Sequence, residues 1–479
     1  MTMPAFGAIA KDDFFALVES GDIAEIEAAI QKGQDIEQEN SYGETPLFVA
    51  VRRGDPEIVR LLFRASANPG HRADKNMTAL HYALIAPAKG CPLENMLEIV
   101  NLLLLGDMSL VNIQDQDGNT PLHYFALFCS DRKIRRQMQG DLKDIPRLFG
   151  VLLHAGADLS IRDKGGNTVL HDSVLGGDEE AALLLLQAGA NASDVNNEGV
   201  TPIWIASAMG LPRVVSALLE RGANPNVRID GMTPLHMAAD YHHVNTVKFL
   251  VANGADIFAK NDRGWNALHY ALMNGGGIYI VPMVEIAEIL LNAGNTITPE
   301  IQECVKNIVE DFEFHRENFS KRDVEKVDEA LKKMYRLFSV EPVERRIVHD
   351  GVSPIIVCDG TWRQQFNYLW DYLVPSSGAA RTVQGELIRI GGRITDEFYR
   401  NGGVNWDREY RKMVDALPRY FSKGNPLSDD ELAEIETLIS KIKGHGTPDE
   451  ILDRICELAV VWVLNNQTPI TLEKTNYRR

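Results

Sequence analysis

Between Phe14 and Asn292 the apolar residues come in paired bursts. A first short burst opens on a threonine and a proline, as in GMTPLHMAAD (231–240), and a second, as in VNTVKFLVANGAD (244–256), carries apolar residues at helical spacing and stops at a glycine. Both bursts predict helices. Thr233 can cap the first, Pro234 fits a first turn that needs no donor, and Leu235 and Ala238 face a core. Gly254 is placed to end the second helix. The same ending recurs as HAGAD (154–158), QAGAN (187–191) and ERGAN (220–224). Past Thr298 the pattern changes to longer helical stretches, PEIQECVKNIVEDFEF (299–314) and RDVEKVDEALKKMYRLF (322–338) among them. The expected fold class is all-α.

The first bursts share one motif at a fixed interval. TPLF begins at Thr45, TALH at Thr78, TPLH at Thr120, TVLH at Thr168, TPIW at Thr201, TPLH at Thr233 and NALH at Asn266, with successive offsets of 33, 42, 48, 33, 32 and 33. A period near 33 residues carrying T-P-L-H-x-A resembles the ankyrin-repeat family. FFALVESGDIAEIEAAIQKGQDI (14–36) lacks the motif and reads as an N-terminal capping repeat, which gives a solenoid of about eight repeats over residues 1–297. The resemblance implies that a histidine such as His236 bonds backbone between neighbouring repeats, a structural job. Phe48 and Trp204 stand at histidine positions and Asn266 at a threonine position, altering local bonds without disturbing the period. The two long offsets mark insertions around 85–96 and 128–146. In a solenoid such insertions become loops or lengthened helices on one face, either recognition elements or inert ones.

The resemblance also implies which positions are free to vary on the concave side: the residue before the threonine and those seven and eight after it. Here they are Met232, Asp240 and Tyr241 in one repeat, Val200, Ala208 and Met209 in the one before, and Trp265, Met273 and Asn274 in the one after. Aromatic residues and methionines are enriched in protein interfaces. Met209, Met232, Asp240, Tyr241, Trp265, Met273 and Asn274 are therefore the expected partner-binding residues, the occupant being another protein or this chain's own C-terminal region.

Residues 298–340 read as a helical linker or cap, and 341–479 as a mostly helical C-terminal domain. In VERRIVHDGVSPIIVCDGTW (343–362) an Asp-Gly turn precedes the β-branched run IIV, which predicts a short β-hairpin. In VQGELIRIGGRITDEF (383–398) Val383, Leu387, Ile390, Ile394 and Phe398 make one core-facing stripe. Glu386, Arg389, Arg393 and Glu397 lie on another face, read as a solvated row of ion pairs, with a polar site including Gln384 and Asn401 as the alternative. Gly385, Gly391 and Gly392 predict close packing by another element. Ser428 with Glu431, and Thr447 with Glu450, fit capping boxes.

Composition narrows the function. The chain has 479 residues, 45% of them hydrophobic and 24% charged, and a net charge of -18. Acid exceeds base on both sides of Thr298, which disfavours nucleic acid and anionic membrane as partners. KIRRQ (133–137) is the strongest basic patch, either a solvated face or a phosphate site. Five cysteines, Cys91, Cys129, Cys304, Cys358 and Cys456, form no CxxC pair, so neither a disulfide framework nor a zinc site is implied. No metal or cofactor is expected. No basic leader precedes a long apolar stretch, so the chain is expected to be soluble and monomeric, working in the cytoplasm or delivered into a host cell without a leader.

Catalysis has one local candidate. Cys358 precedes a helix expected to begin near Thr361, where the dipole favours a thiolate, and His349 on the opposite arm of the expected hairpin could reach it, oriented by Asp350 or Asp359. That set would make a cysteine hydrolase, although CDGTW differs from the CGSCW of papain-like enzymes and only His445 lies downstream. No glycine-rich phosphate loop, HExxH or GxSxG is present. The fuller expectation is a protein-interaction scaffold. Its layout, irregular repeats followed by a different helical domain, resembles that of bacterial ankyrin-repeat effectors, which implies a host protein as partner.

Overall fold

The structure is a computed structural model and describes residues 11–85, 92–130, 144–273, 279–401, 406–443 and 449–477. KIRRQ, Cys91, Asn274, His445, Thr447, half of the first insertion and most of the second lie outside these residues. The described chain forms two compact units, one of residues up to 273 with 285–296, the other of 279–284 with 297–477.

Eight helix pairs run through the repeats, from Lys11–Ser20 with Ile23–Gln31 to Ala267–Met273 with Ile280–Asn292, the last helix straddling the division between the units. Every pair after the first is built by the motif. Thr233 caps Pro234–Asp240, and its hydroxyl lies 2.7 Å from His236 Nδ1. The Thr233 N–H donates to that same Nδ1 at 3.2 Å, so the ring proton sits on Nε2, which donates to the Trp265 carbonyl of the next repeat at 3.1 Å. His81 bonds Asn119 and His171 bonds Val200 in the same manner, so the histidines are rivets between repeats. The turns are stitched by backbone: Asp74 N–H to Tyr42, Gln116 to Lys75, Lys164 to Asp117 and Asn197 to Gly165. At Gly254, φ is 83°, and the next amide, Ala255, closes on the Leu250 carbonyl at 3.0 Å, ending the helix where the sequence placed its stop.

Two repeats lack the motif histidine, and in a third the His123 Nε2 is buried with no partner among the described residues. Where Phe48 and Trp204 replace histidine, the Thr45 and Thr201 hydroxyls are buried with no partner among the described residues, and so is Trp204 Nε1. A buried hydroxyl without a bond is a cost, whereas one in a network contributes. Thr233→Val should therefore lower stability by about 1–2 kcal/mol, while Thr201→Val changes it by less than about 0.5 kcal/mol or raises it. Urea unfolding of the two variants checks this; equal losses would contradict it.

In the second unit, Pro299–His315 and Lys321–Phe338 form a helical pair, and Arg316 holds Glu313 and Asp328 at 2.6 Å each. Residues 340–361 carry no helix or strand. The expected hairpin does not form. Its β-branched arm is used elsewhere, for Ile355 is buried in the unit's core and its N–H donates to the Gln467 carbonyl at 2.8 Å. Thr361 and Gln364 then cap Trp362–Leu373 reciprocally.

Val383–Asn401 is the centre of this unit, packed against Trp362–Leu373 and Asp449–Asn465. Val383, Leu387, Ile390 and Ile394 are buried as the stripe predicts, with Phe398 packed beside them. A Cβ on Gly392 would fall 2.1 Å from Trp370 and one on Gly385 2.8 Å from the Leu373 carbonyl, so these glycines admit their neighbours. The expected solvated face, however, is buried: Glu386 and Arg389 are both fully enclosed, and Gln384 and Glu397 are buried as well. Helices and the C-terminal segment surround this helix on its polar side too. Glu386 therefore receives Arg389 Nε at 2.8 Å and Nη2 at 2.6 Å, the Ala380 N–H at 2.9 Å and the Tyr477 hydroxyl at 2.6 Å. The Ser428–Glu431 capping box forms as expected.

Candidate functional site

The catalytic set read from the sequence is not brought together. His349 is buried, and both of its ring nitrogens are engaged by its own turn: Gly351 N–H donates to Nδ1 at 2.9 Å, and Nε2 meets the Ser353 carbonyl at 2.7 Å. The imidazole holds the loop and is not offered to Cys358. Asp350 accepts from the Val352 and Ser353 amides and the Ser353 hydroxyl, which hold its carboxyl well below the usual range. Asp359 is exposed, and the half-buried Cys358 is fixed through its carbonyl by Gln365 Nε2 at 3.0 Å. The hairpin that would have faced His349 across to Cys358 is the missing element. The other thiol at a cavity, Cys456, lines a cleft of about 700 Å³ beside Trp370 and Thr395, where burial pushes it up to about 12. A thiol so protonated is a poor nucleophile at neutral pH.

The variable face of the repeats is better furnished. Tyr241, Met273 and Met209 are 55%, 47% and 43% exposed, while Met232, Asp240 and Trp265 are half-buried. Tyr241, Trp265 and Met232 are held by neighbouring side chains of the repeats. Tyr241 ends Pro234–Asp240 and stacks on His243 at 6.1 Å, and His243 Nε2 in turn meets the Ala208 carbonyl one repeat back. Trp265 meets Tyr270 edge-on at 6.0 Å, with the Arg263 guanidinium 5.5 Å from the Trp265 ring. Asn261 Nδ2 donates to the Tyr270 hydroxyl at 2.8 Å and lies 3.8 Å from Met232 Sδ. Met232, Asn261, Tyr270, Trp265 and Arg263 thus make one connected patch. Sequence reasoning missed Tyr270, Asn261, Arg263 and His243. Tyr270 had a readable signal, since it sits one place after the motif histidine, as Tyr82 and Tyr124 do.

Family models agree with the motif register. Ankyrin repeats (3 copies) match residues 14–92 and 141–229, and Ankyrin repeats (many copies) match 218–271. The repeats belong to the ankyrin-repeat family. Among curated proteins, this ankyrin region is similar to mouse rabankyrin-5, 27% identical over 50% of this chain and 23% of that protein. It is also similar to human B-cell lymphoma 3 protein, 29% identical over 38% of each chain, and to mouse neurogenic locus notch homolog protein 1, 32% identical over 38% of this chain and 7% of that one. The matched part is thus less than a quarter of the length of rabankyrin-5. The crystal structure of the human ASB11 ankyrin repeat domain aligns over 53% of this chain and all of that one, at 22% identity and a TM-score of 0.41. The ankyrin array is a protein-interaction scaffold. Among the described residues no helix is long and apolar enough to cross a membrane, and no group of three or more His, Cys, Asp or Glu could hold a metal ion.

Proposed function

We propose that the chain captures a protein partner on the variable face of its last ankyrin repeats, with Tyr241, Trp265, Met209 and Met273 as anchors. The observation that carries this reading is that three large apolar side chains at register positions, Tyr241, Met209 and Met273, stay exposed on a rigid framework. An aromatic ring already stacked in place contributes binding energy with little loss of side-chain entropy, and methionines add adaptable apolar contact around it. The layout of irregular repeats ahead of a different helical domain further supports a bacterial effector whose partner is a host protein.

The test is capture from host-cell lysate by the full chain, followed by affinity measurement with the purified partner. Tyr241→Ala and Trp265→Ala should each weaken binding by about 30-fold or more, the loss typical of an interface anchor. Lys248→Ala, on an exposed second-helix position, should leave it unchanged. Equal capture by the wild type and the Tyr241→Ala, Trp265→Ala double variant would overturn the face, and capture of no protein from the host-cell lysate would overturn the effector assignment.

A further inference from the structure

In the second unit, residues 340–361 cross the surface without helix or strand, and within them Glu344 to Val348 leave their backbone unused. The flanking amides are tied: Val343 N–H donates to the Tyr335 hydroxyl at 3.2 Å, and His349 N–H to the Tyr372 carbonyl at 2.8 Å. Between them, no amide of Glu344, Arg345, Arg346, Ile347 or Val348 donates to another group among the described residues, and none of their carbonyls accepts. A run of unpaired backbone groups is a template for an added strand.

The run is held in place from behind. Arg346 is half-buried, donating to the carbonyls of Phe314, Trp370, Asp371 and Val374 with its guanidinium 4.0 Å from the Phe314 ring, so the segment is pinned at its middle. On either side Arg345 and Ile347 point outward, the latter 78% exposed, which is the in-and-out alternation of an extended chain. Beside the run lies a groove of about 730 Å³ with Tyr368 and Tyr372 on its wall. Its charged lining is four carboxylates, Glu310, Glu313, Glu344 and Asp371, against two guanidiniums, Arg345 and Arg346. Glu313 is already paired with Arg316, and Arg345 with Asp328 at 3.2 Å, which leaves Glu310, Glu344 and Asp371 against the one Arg346 charge, so the groove presents net negative charge.

We propose that Glu344–Val348 is a strand-docking edge that receives an extended segment of a partner protein with alternating basic and apolar residues, its backbone pairing with the free amides and carbonyls and its lysines or arginines facing Glu344 and Asp371. This surface is independent of the ankyrin face and does not rest on the partner assigned there.

The probe is a synthetic peptide, acetyl-(Lys-Val)₄-amide, added to the full-length protein. Amide hydrogen exchange across 341–361 is the readout, since it localises pairing where affinity alone would not. At nine-tenths saturation, alternate amides within 344–348 should slow by about tenfold, the limit set by the unbound fraction. The peptide N-methylated at alternate residues keeps its side chains and charge but lacks those donors, and it should neither bind nor protect. The glutamate counterpart, acetyl-(Glu-Val)₄-amide, should also fail. Binding without protection at 344–348, or equal binding by the N-methylated peptide, would overturn strand pairing. Equal binding by the glutamate peptide would overturn the basic partner, and failure of the lysine peptide to bind would overturn the proposal as a whole.

Discussion

Glu386→Ala should destabilise the C-terminal unit by about 3–5 kcal/mol, because it leaves the Arg389 charge fully enclosed without its carboxylate. A domain is stable by only about 5–15 kcal/mol, so the variant should lose a large share of its stability. The loss belongs to the unpaired charge and not to the removal of a stabilising bridge, and this distinction can be measured. Glu386→Leu combined with Arg389→Met replaces the pair by apolar groups of similar size and should recover most of the loss. Tyr477→Phe, which removes the 2.6 Å hydroxyl bond to Glu386 and the 3.1 Å contact with the Tyr420 hydroxyl, should cost about 1.5–3 kcal/mol. Hydrogen exchange in Asp449–Asn465, the helix packed against this one, reports all three variants. If the double variant is as unstable as Glu386→Ala, the cost lies in shape and in the Ala380 and Tyr477 donors that both variants strand, and not in the Arg389 charge.

That pair also shows where sequence reading stops. The repeats were legible because each motif residue does the same job every 33 or so positions: a threonine cap, a proline without a donor, a glycine at positive φ. Each job is local, so it needs no knowledge of distant residues. Val383–Asn401 was legible on its apolar side for the same reason, since a stripe at helical spacing needs a core whatever supplies it. On its polar side, spacing shows that Glu386 and Arg389 can meet but says nothing of what covers them. The cover is Tyr477, ninety-one residues away. The glycines at 385, 391 and 392 were the one local trace that the helix is approached from more sides than its apolar stripe requires. The hairpin failed in the same way, because the partner of Ile355 is Gln467 and not a neighbour across a turn. With the hairpin went the approach of His349 to Cys358. The variable-face positions came from the repeat register, and the structure adds what their spacing could not, that Tyr270 and Asn261 join Trp265 to Met232.

Acid should weaken the ankyrin repeats, and Asp172→Asn should deepen the effect. Burial holds His81 down to about 4 against an ordinary value of 6.5, and burial also lowers His123, His171 and His236. The unfolded chain therefore binds more protons than the folded one between pH 6.5 and 4, so this stability is complete above pH 6.5 and is lost as pH falls. His81 alone would account for roughly 3 kcal/mol. Asp172 opposes this. Buried on Val169–Leu175 with Asp163 nearby, it is pushed up to about 7 by burial first and then by that second carboxylate. A carboxyl raised above its unfolded value favours the folded state at low pH, and that advantage disappears as pH rises through 7. Asparagine keeps the shape and cannot ionise, so Asp172→Asn should match wild type near pH 4 and exceed it by up to roughly 4 kcal/mol above pH 8. Its own profile should then fall more steeply than wild type between pH 6.5 and 4, because only the histidines remain. Thermal unfolding of both proteins from pH 4 to 8.5 checks the sign at each end. Parallel curves would mean that Asp172 titrates as an ordinary surface carboxylate.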